Sequence, residues 1–172
     1  MGKHRKWVQI VIFAAVVIIG ALTLGNNLFL ADKKPVQGGK APEFKLVGLD
    51  GKQHQLSDYK GKIVVVNFWG TFCEPCRNEM PALDRQYAKW KDKNVVVLGL
   101  NIGERPVSVR TFVEQYNVKF PILLDDNEEI RKRFGVRDYP TTFFINPDGR
   151  IARIQVGEMT ESFIEQTITS LQ

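Results

Sequence analysis

The chain has 172 residues, 44% of them hydrophobic and 25% charged, which fits one globular domain with an appendage and excludes a fibrous repeat or a wholly disordered chain. Its formal charge of +5 is uneven: residues 1–35 carry five basic side chains against one acid and the remainder 19 against 18, so the basic balance belongs to the N-terminus and gives no support to a nucleic-acid-binding surface. Two cysteines, Cys73 and Cys76, allow at most one internal disulfide and exclude a disulfide-dense scaffold.

In chain order, residues 1–6 form a basic tail with Lys3, Arg5 and Lys6. No charge follows from Trp7 to Leu30, and Val8–Leu24 is apolar except for Gln9 and Thr23. As a helix, those 24 residues rise about 36 Å, enough for the roughly 30 Å hydrocarbon core. The spacing predicts a transmembrane anchor over 7–30, with the preceding cations holding the N-terminus in the cytoplasm and the rest on the extracytoplasmic side of the cell membrane. A cleaved secretory signal is the competing reading. Its apolar core is usually about 7–15 residues with a small-residue cleavage site; this run is longer, and Leu28-Phe29-Leu30-Ala31 is a poor site. Residues 31–40, with Pro35, Gly38 and Gly39, read as a polar tether.

Residues 41–172 alternate strand and helix patterns. Glu43–Val47 and Gln53–Leu56 flank Asp50-Gly51, a hairpin signal. Ile63–Trp69 is apolar except for Asn67, the pattern of a strand buried on both faces. A helix over Cys73–Lys91 follows, with Pro81 expected to bend it. Val95–Ile102 is the next strand, Val107–Tyr116 a helix, Phe120–Leu124 a strand, and Asn127–Phe134 a short helix stopped by Gly135. Thr142–Ile145 and Arg150–Val156 pair across Asn146-Pro147-Asp148-Gly149, and Thr160–Leu171 is a final helix capped by Thr160. This order predicts an α/β fold, a mixed central sheet with helices on both faces and an N-terminal β-hairpin. Trp69, Phe68, Trp90, Phe143 and Phe144 fall at core spacing. Arg131-Lys132-Arg133 reads as the cationic end of a solvated helix, and His54 as surface.

The chemistry gathers at Cys73-Glu74-Pro75-Cys76, directly after a buried strand and at a helix start. Unpaired N–H groups and the positive end of the helix dipole stabilise a thiolate there, so Cys73 is the expected exposed, attacking sulfur. Cys76, one turn further in, is placed to resolve a mixed disulfide. A structural staple across so short a loop removes little chain entropy. A zinc site lacks ligands, with His54 and His4 the chain's two histidines. Two inert buried thiols remain an alternative. Glu79, three residues after Cys76, shares its helix face. Glu104 follows the second buried strand as Cys73 follows the first, so parallel strands bring both to one sheet edge. A carboxylate beside a cysteine raises the thiol's pKa and can hold or pass its proton; the alternative is a pair of solvated surface acids.

Cys73-Glu74-Pro75-Cys76, Pro81 and Tyr139-Pro140-Thr141-Thr142-Phe143 together resemble the thioredoxin fold. Gly61-Lys62, Asn67-Phe68-Trp69-Gly70-Thr71, Asn101-x-Gly103-Glu104 and the N-terminal run narrow this to a resemblance, over nearly the whole chain, to the ResA/TlpA-like membrane-anchored thiol-disulfide oxidoreductases. The resemblance implies that Pro140 is a cis-proline facing the dithiol. Tyr139 and Pro140, with Glu74 and Pro75, would form the substrate-docking surface, and Glu79 and Glu104 would match glutamates of the family's active site. It implies a protein-disulfide reductase without a cofactor, supplied with electrons by a transmembrane dithiol donor and acting on the haem-binding cysteines of apocytochrome c in cytochrome c maturation. General or spore-envelope disulfide reduction is the alternative. A peroxiredoxin-like peroxidase lacks its Pro-x-x-x-Thr-x-x-Cys pattern here, and a copper chaperone its distal histidine. The chain departs from its relatives in three places: Asn67 stands where thioredoxins carry a buried acid, Phe72 where close relatives often have tryptophan, and Tyr139 where a leucine is usual.

Overall fold

The computed structural model describes residues 2–29 and 34–172, with side chains from Trp7 to Gly20 and again from Lys34 onward. The chain divides into two units, residues 1–33 and 34–172. In the first, α1 runs Gly2–Phe29. The expected span over 7–30 falls on this helix and partly outside the described residues. The side chains described there cover fourteen positions, about 21 Å of helix at 1.5 Å per residue. Among the described residues no helix is long and apolar enough to cross a membrane.

The second unit is built on a seven-stranded mixed sheet. The strands are β1 (Lys45–Gly48), β2 (Gln53–Gln55), β3 (Ile63–Trp69), β4 (Val95–Ile102), β5 (Ile122–Asp125), β6 (Thr141–Ile145) and β7 (Ile151–Val156), and they lie in the order β2-β1-β5-β4-β3-β6-β7. β3 runs parallel to β4, and β4 to β5, while β1, β6 and β7 pair antiparallel. The helices are α2 (Glu74–Trp90), α3 (Pro106–Gln115), α4 (Glu129–Arg133) and α5 (Glu161–Thr169). The predicted element order and mixed sheet are present. The hairpin also adds to the main sheet, because β1 pairs with β5.

Alternation along β3 explains the two faces. Ile63, Val65 and Trp69 pack with Met80 and Leu83 of α2, Phe112 of α3 and Ile164 of α5. Val64, Val66 and Phe68 point the other way, to Leu56, Ile130 and Phe134. Asn67 therefore faces α2, a polar side chain on an apolar face. On neighbouring β4, Gly99 leaves room for the Trp69 indole, since a Cβ there would lie 3.0 Å from Trp69 Nε1 and 2.7 Å from Ile122 Cδ1.

α2 keeps nearly the expected bounds, while two other expectations change. α2 begins at Glu74 with Cys73 as its N-cap and continues through Pro81 to Trp90. Residues 34–40, read as tether, include a strap on β7: Gly38 N donates to Ile151 O (2.7 Å), Ile151 N donates to Gly39 O (2.9 Å), and Arg150 Nη1 donates to Gly38 O. His54 is not simple surface either. Its ring contacts Tyr59 OH through Nδ1 at 2.6 Å, and burial pushes the Tyr59 phenol up to about 12.

Candidate active site

The parallel pair β3–β4 ends at Trp69 and Ile102, which sets the following turns side by side. The first turn carries Gly70, Thr71 and Phe72 into Cys73; Cys73 N donates to Gly70 O at 3.2 Å. Cys73 holds extended dihedrals as N-cap of α2, and its Sγ accepts from Cys76 N at 3.2 Å. Pro75 sits in the first helical turn, where a backbone N–H would have no helical acceptor. The N–H that points at Sγ is the kind of donor that stabilises a thiolate. Cys73 and Cys76 are joined as a disulfide. Cys73 retains 8% of its surface and Cys76 none. The first sulfur is thus the more accessible, as expected. It is far less open than predicted, because it is bonded to a buried partner and packs in the same cluster as Trp69 and Met80. Glu74 and Pro75 are exposed beside it.

Glu79 lies one turn after Cys76 and is buried, not a solvated acid. Asn67 Nδ2 donates to its Oε1 at 2.7 Å and Met159 N to its Oε2 at 3.0 Å. The same Asn67 amide donates to Thr142 Oγ1 at 2.9 Å, bridging α2, β3 and β6. Burial raises the Glu79 carboxyl from 4.5 to about 7, against the lowering effect of those two hydrogen bonds and with a small further rise from Glu158. A carboxyl in that range can exchange a proton at neutral pH.

Glu104 emerges at the same sheet edge, as predicted, but its carboxylate is held by donors from Thr71, in the turn before Cys73, and from Asn101, near the end of β4. Oε2 accepts from Thr71 N and Asn101 Nδ2, each at 2.7 Å, and Oε1 from Thr71 Oγ1 at 2.5 Å. It ties the end of β4 to the turn that delivers Cys73, which is a positioning arrangement.

The Tyr139–Pro140 peptide is cis, as the resemblance implied. Tyr139 packs against the cluster containing both cysteines, and its ring meets the Phe72 ring edge-on at 6.2 Å. Phe72 is 64% exposed, and its ring folds back over Gly70, where a Cβ would lie 2.5 Å from Phe72 Cε1.

Residues 37–154 match the AhpC/TSA family model. The chain is 38% identical to the thiol-disulfide oxidoreductase ResA of Bacillus subtilis (strain 168), over 94% of this chain and 90% of that one. It is 40% identical to ResA of Bacillus anthracis, over 96% and 95%. The crystal structure of a putative thiol:disulfide interchange protein DsbE from Chlorobium tepidum superposes with a TM-score of 0.76 at 30% identity, covering 80% of this chain and 99% of that one. The chain belongs to the AhpC/TSA family. Within that thioredoxin-like family it is a thiol-disulfide oxidoreductase of the ResA kind.

Such an oxidoreductase needs more than its cysteines, and five supporting residues lay outside the predicted site: Asn67, Thr71, Asn101, Thr142 and Met159. Asn67 had a signal, a lone amide in an apolar strand. Thr142 stood in a motif that carries the resemblance, but its contact with Asn67 did not show there, and the Met159 amide had no signal, since both roles depend on which chain segments meet in the fold.

Proposed function

We propose that the chain is a membrane-anchored, extracytoplasmic reductase that opens the disulfide between the haem-attachment cysteines of an apocytochrome c. Its place in a family with ResA relatives supports this, and so does the uncharged run Trp7–Leu30 behind Lys3, Arg5 and Lys6. The observation that carries the chemistry is the Cys73 N-cap, with Cys76 N aimed at Sγ and the buried Glu79 carboxyl one turn beyond.

In the reduced chain, Cys73 thiolate attacks one sulfur of the substrate disulfide. A Cys73–substrate disulfide forms, and the other substrate sulfur leaves as a thiolate that takes a proton from solvent. Cys76 then loses its proton to the Glu79 carboxylate and attacks Cys73 Sγ, releasing the second substrate thiolate and closing the Cys73–Cys76 disulfide. Two electrons have passed to the substrate. A transmembrane dithiol donor restores the pair, itself becoming a disulfide.

The test compares the reduced full chain against a disulfide-closed Cys-x-x-Cys-His peptide and a closed control peptide of unrelated sequence. A preference of about tenfold or more for the haem-motif peptide is the expected result, corresponding to about 1.4 kcal/mol of discrimination. Equal rates would make the chain a general disulfide reductase.

A further inference from the structure

The Phe72–Tyr139 contact closes a circuit of interactions that runs through α4 and back to the turn delivering Cys73. Arg131 Nη1 donates to Val136 O at 2.9 Å, and Val136 N donates back to Arg131 O at 3.1 Å. Arg131 Nε lies 2.6 Å from Glu128 Oε2; it is off hydrogen-bond geometry, so the contact is ionic. The Glu128 carboxylate in turn lies against Gly103, where a Cβ would meet Oε1 at 3.1 Å. Gly103 precedes Glu104, the residue that holds Thr71 and hence the approach to Phe72. Both groups also act on Tyr139: burial raises its phenol, Arg131 opposes that rise and Glu128 adds to it.

We propose that Arg131, braced by Glu128, is a positioning residue that fixes the Val136–Pro140 loop so that Tyr139 stands opposite Phe72, and thereby sets the affinity for peptide disulfides without entering the sulfur exchange. The guanidinium suits this because one planar group reaches a carbonyl and a carboxylate at once. The inference rests on the reading of Tyr139 and Pro140 as the docking edge.

The test follows single turnovers of the reduced full chain with the disulfide-closed haem-motif peptide and with hydroxyethyl disulfide, which has no peptide segment to lie along the docking edge. Arg131→Ala is expected to raise the half-saturating peptide concentration about tenfold while leaving the maximal rate within about twofold, the signature of lost binding shared by ground and transition states. Its rate with hydroxyethyl disulfide stays at the wild-type value, and Arg131→Lys, which keeps one donor for Val136 O, falls between. Should Arg131→Ala not fold, Glu128→Gln carries the test, with a rise of about threefold expected from loss of the ion pair alone. Unchanged peptide saturation in these variants, while Tyr139→Ala raises it, would overturn the proposal and leave the docking edge standing. Unchanged saturation in Tyr139→Ala as well would overturn the docking reading with it. Equal slowing toward both disulfides would show a general disturbance of the dithiol and also overturn the proposal.

Discussion

Burial of the Glu79 carboxyl among Asn67 Nδ2, the Met159 amide and the apolar side of α2 disfavours its charged form, because two hydrogen bonds do not replace the water it loses. The folded chain keeps that proton to about pH 7, whereas an unfolded glutamate releases it near 4.5. Between those values the folded state binds more protons than the unfolded one, so stability falls as pH rises through the window. The cost at pH 8 is about 3 kcal/mol. Glu79→Gln removes the titration, so its melting temperature should vary much less than wild type's between pH 4.5 and 7. Thermal melts across that range check this, and parallel curves for the two proteins would contradict it. Glu104 acts in another way. Three donors converge on it, and its contribution is to hold Thr71, two residues before the reacting sulfur.

α4 shows how an element can depend on a single side chain. Five residues are too few to sustain a helix by propagation, and Glu128 before it adopts a left-handed conformation at φ 56°. Asp125, at the end of β5 and buried, supplies the cap: Oδ1 accepts from Ile130 N at 3.1 Å and Oδ2 from Arg131 N at 2.7 Å. Asp125→Ala leaves both donors unpaired and is expected to cost about 2 kcal/mol, read as a lowered urea midpoint with an unchanged slope. Because α4 also carries Arg131, the same change loosens the Tyr139 loop. By contrast, Arg85–Glu161 and Lys89–Glu165 join α2 to α5 across solvent. Such pairs add little, and the Leu83, Ile164 and Ile168 contacts hold those helices together.

At the scale of the molecule, what could be read from residue order follows the range of each interaction. The strands and helices were legible because their periodicity is local: β3 appears as Ile63–Trp69, and Thr160 Oγ1 caps α5 by accepting from Phe163 N. The dithiol, Glu79 and Glu104 were legible from their spacing to strand and helix ends, and Pro140 by likeness to a family. The Asn67–Glu79–Thr142 bridge was not, since Asn67 and Thr142 lie 75 residues apart and meet through β3–β6 pairing. Nor was the near-burial of Cys73, which depends on the Trp69 and Met80 packing around it. These long-range contacts leave one sulfur as the accessible member of the pair, and that asymmetry is the basis of the assigned chemistry. It is tested most directly by mixing Cys76→Ser and Cys73→Ser chains, each reduced, with a disulfide-closed peptide and weighing the products by intact-mass spectrometry. Cys76→Ser should accumulate a mixed disulfide through Cys73 while Cys73→Ser stays largely unmodified; equal trapping by both, or trapping by Cys73→Ser alone, would contradict the account.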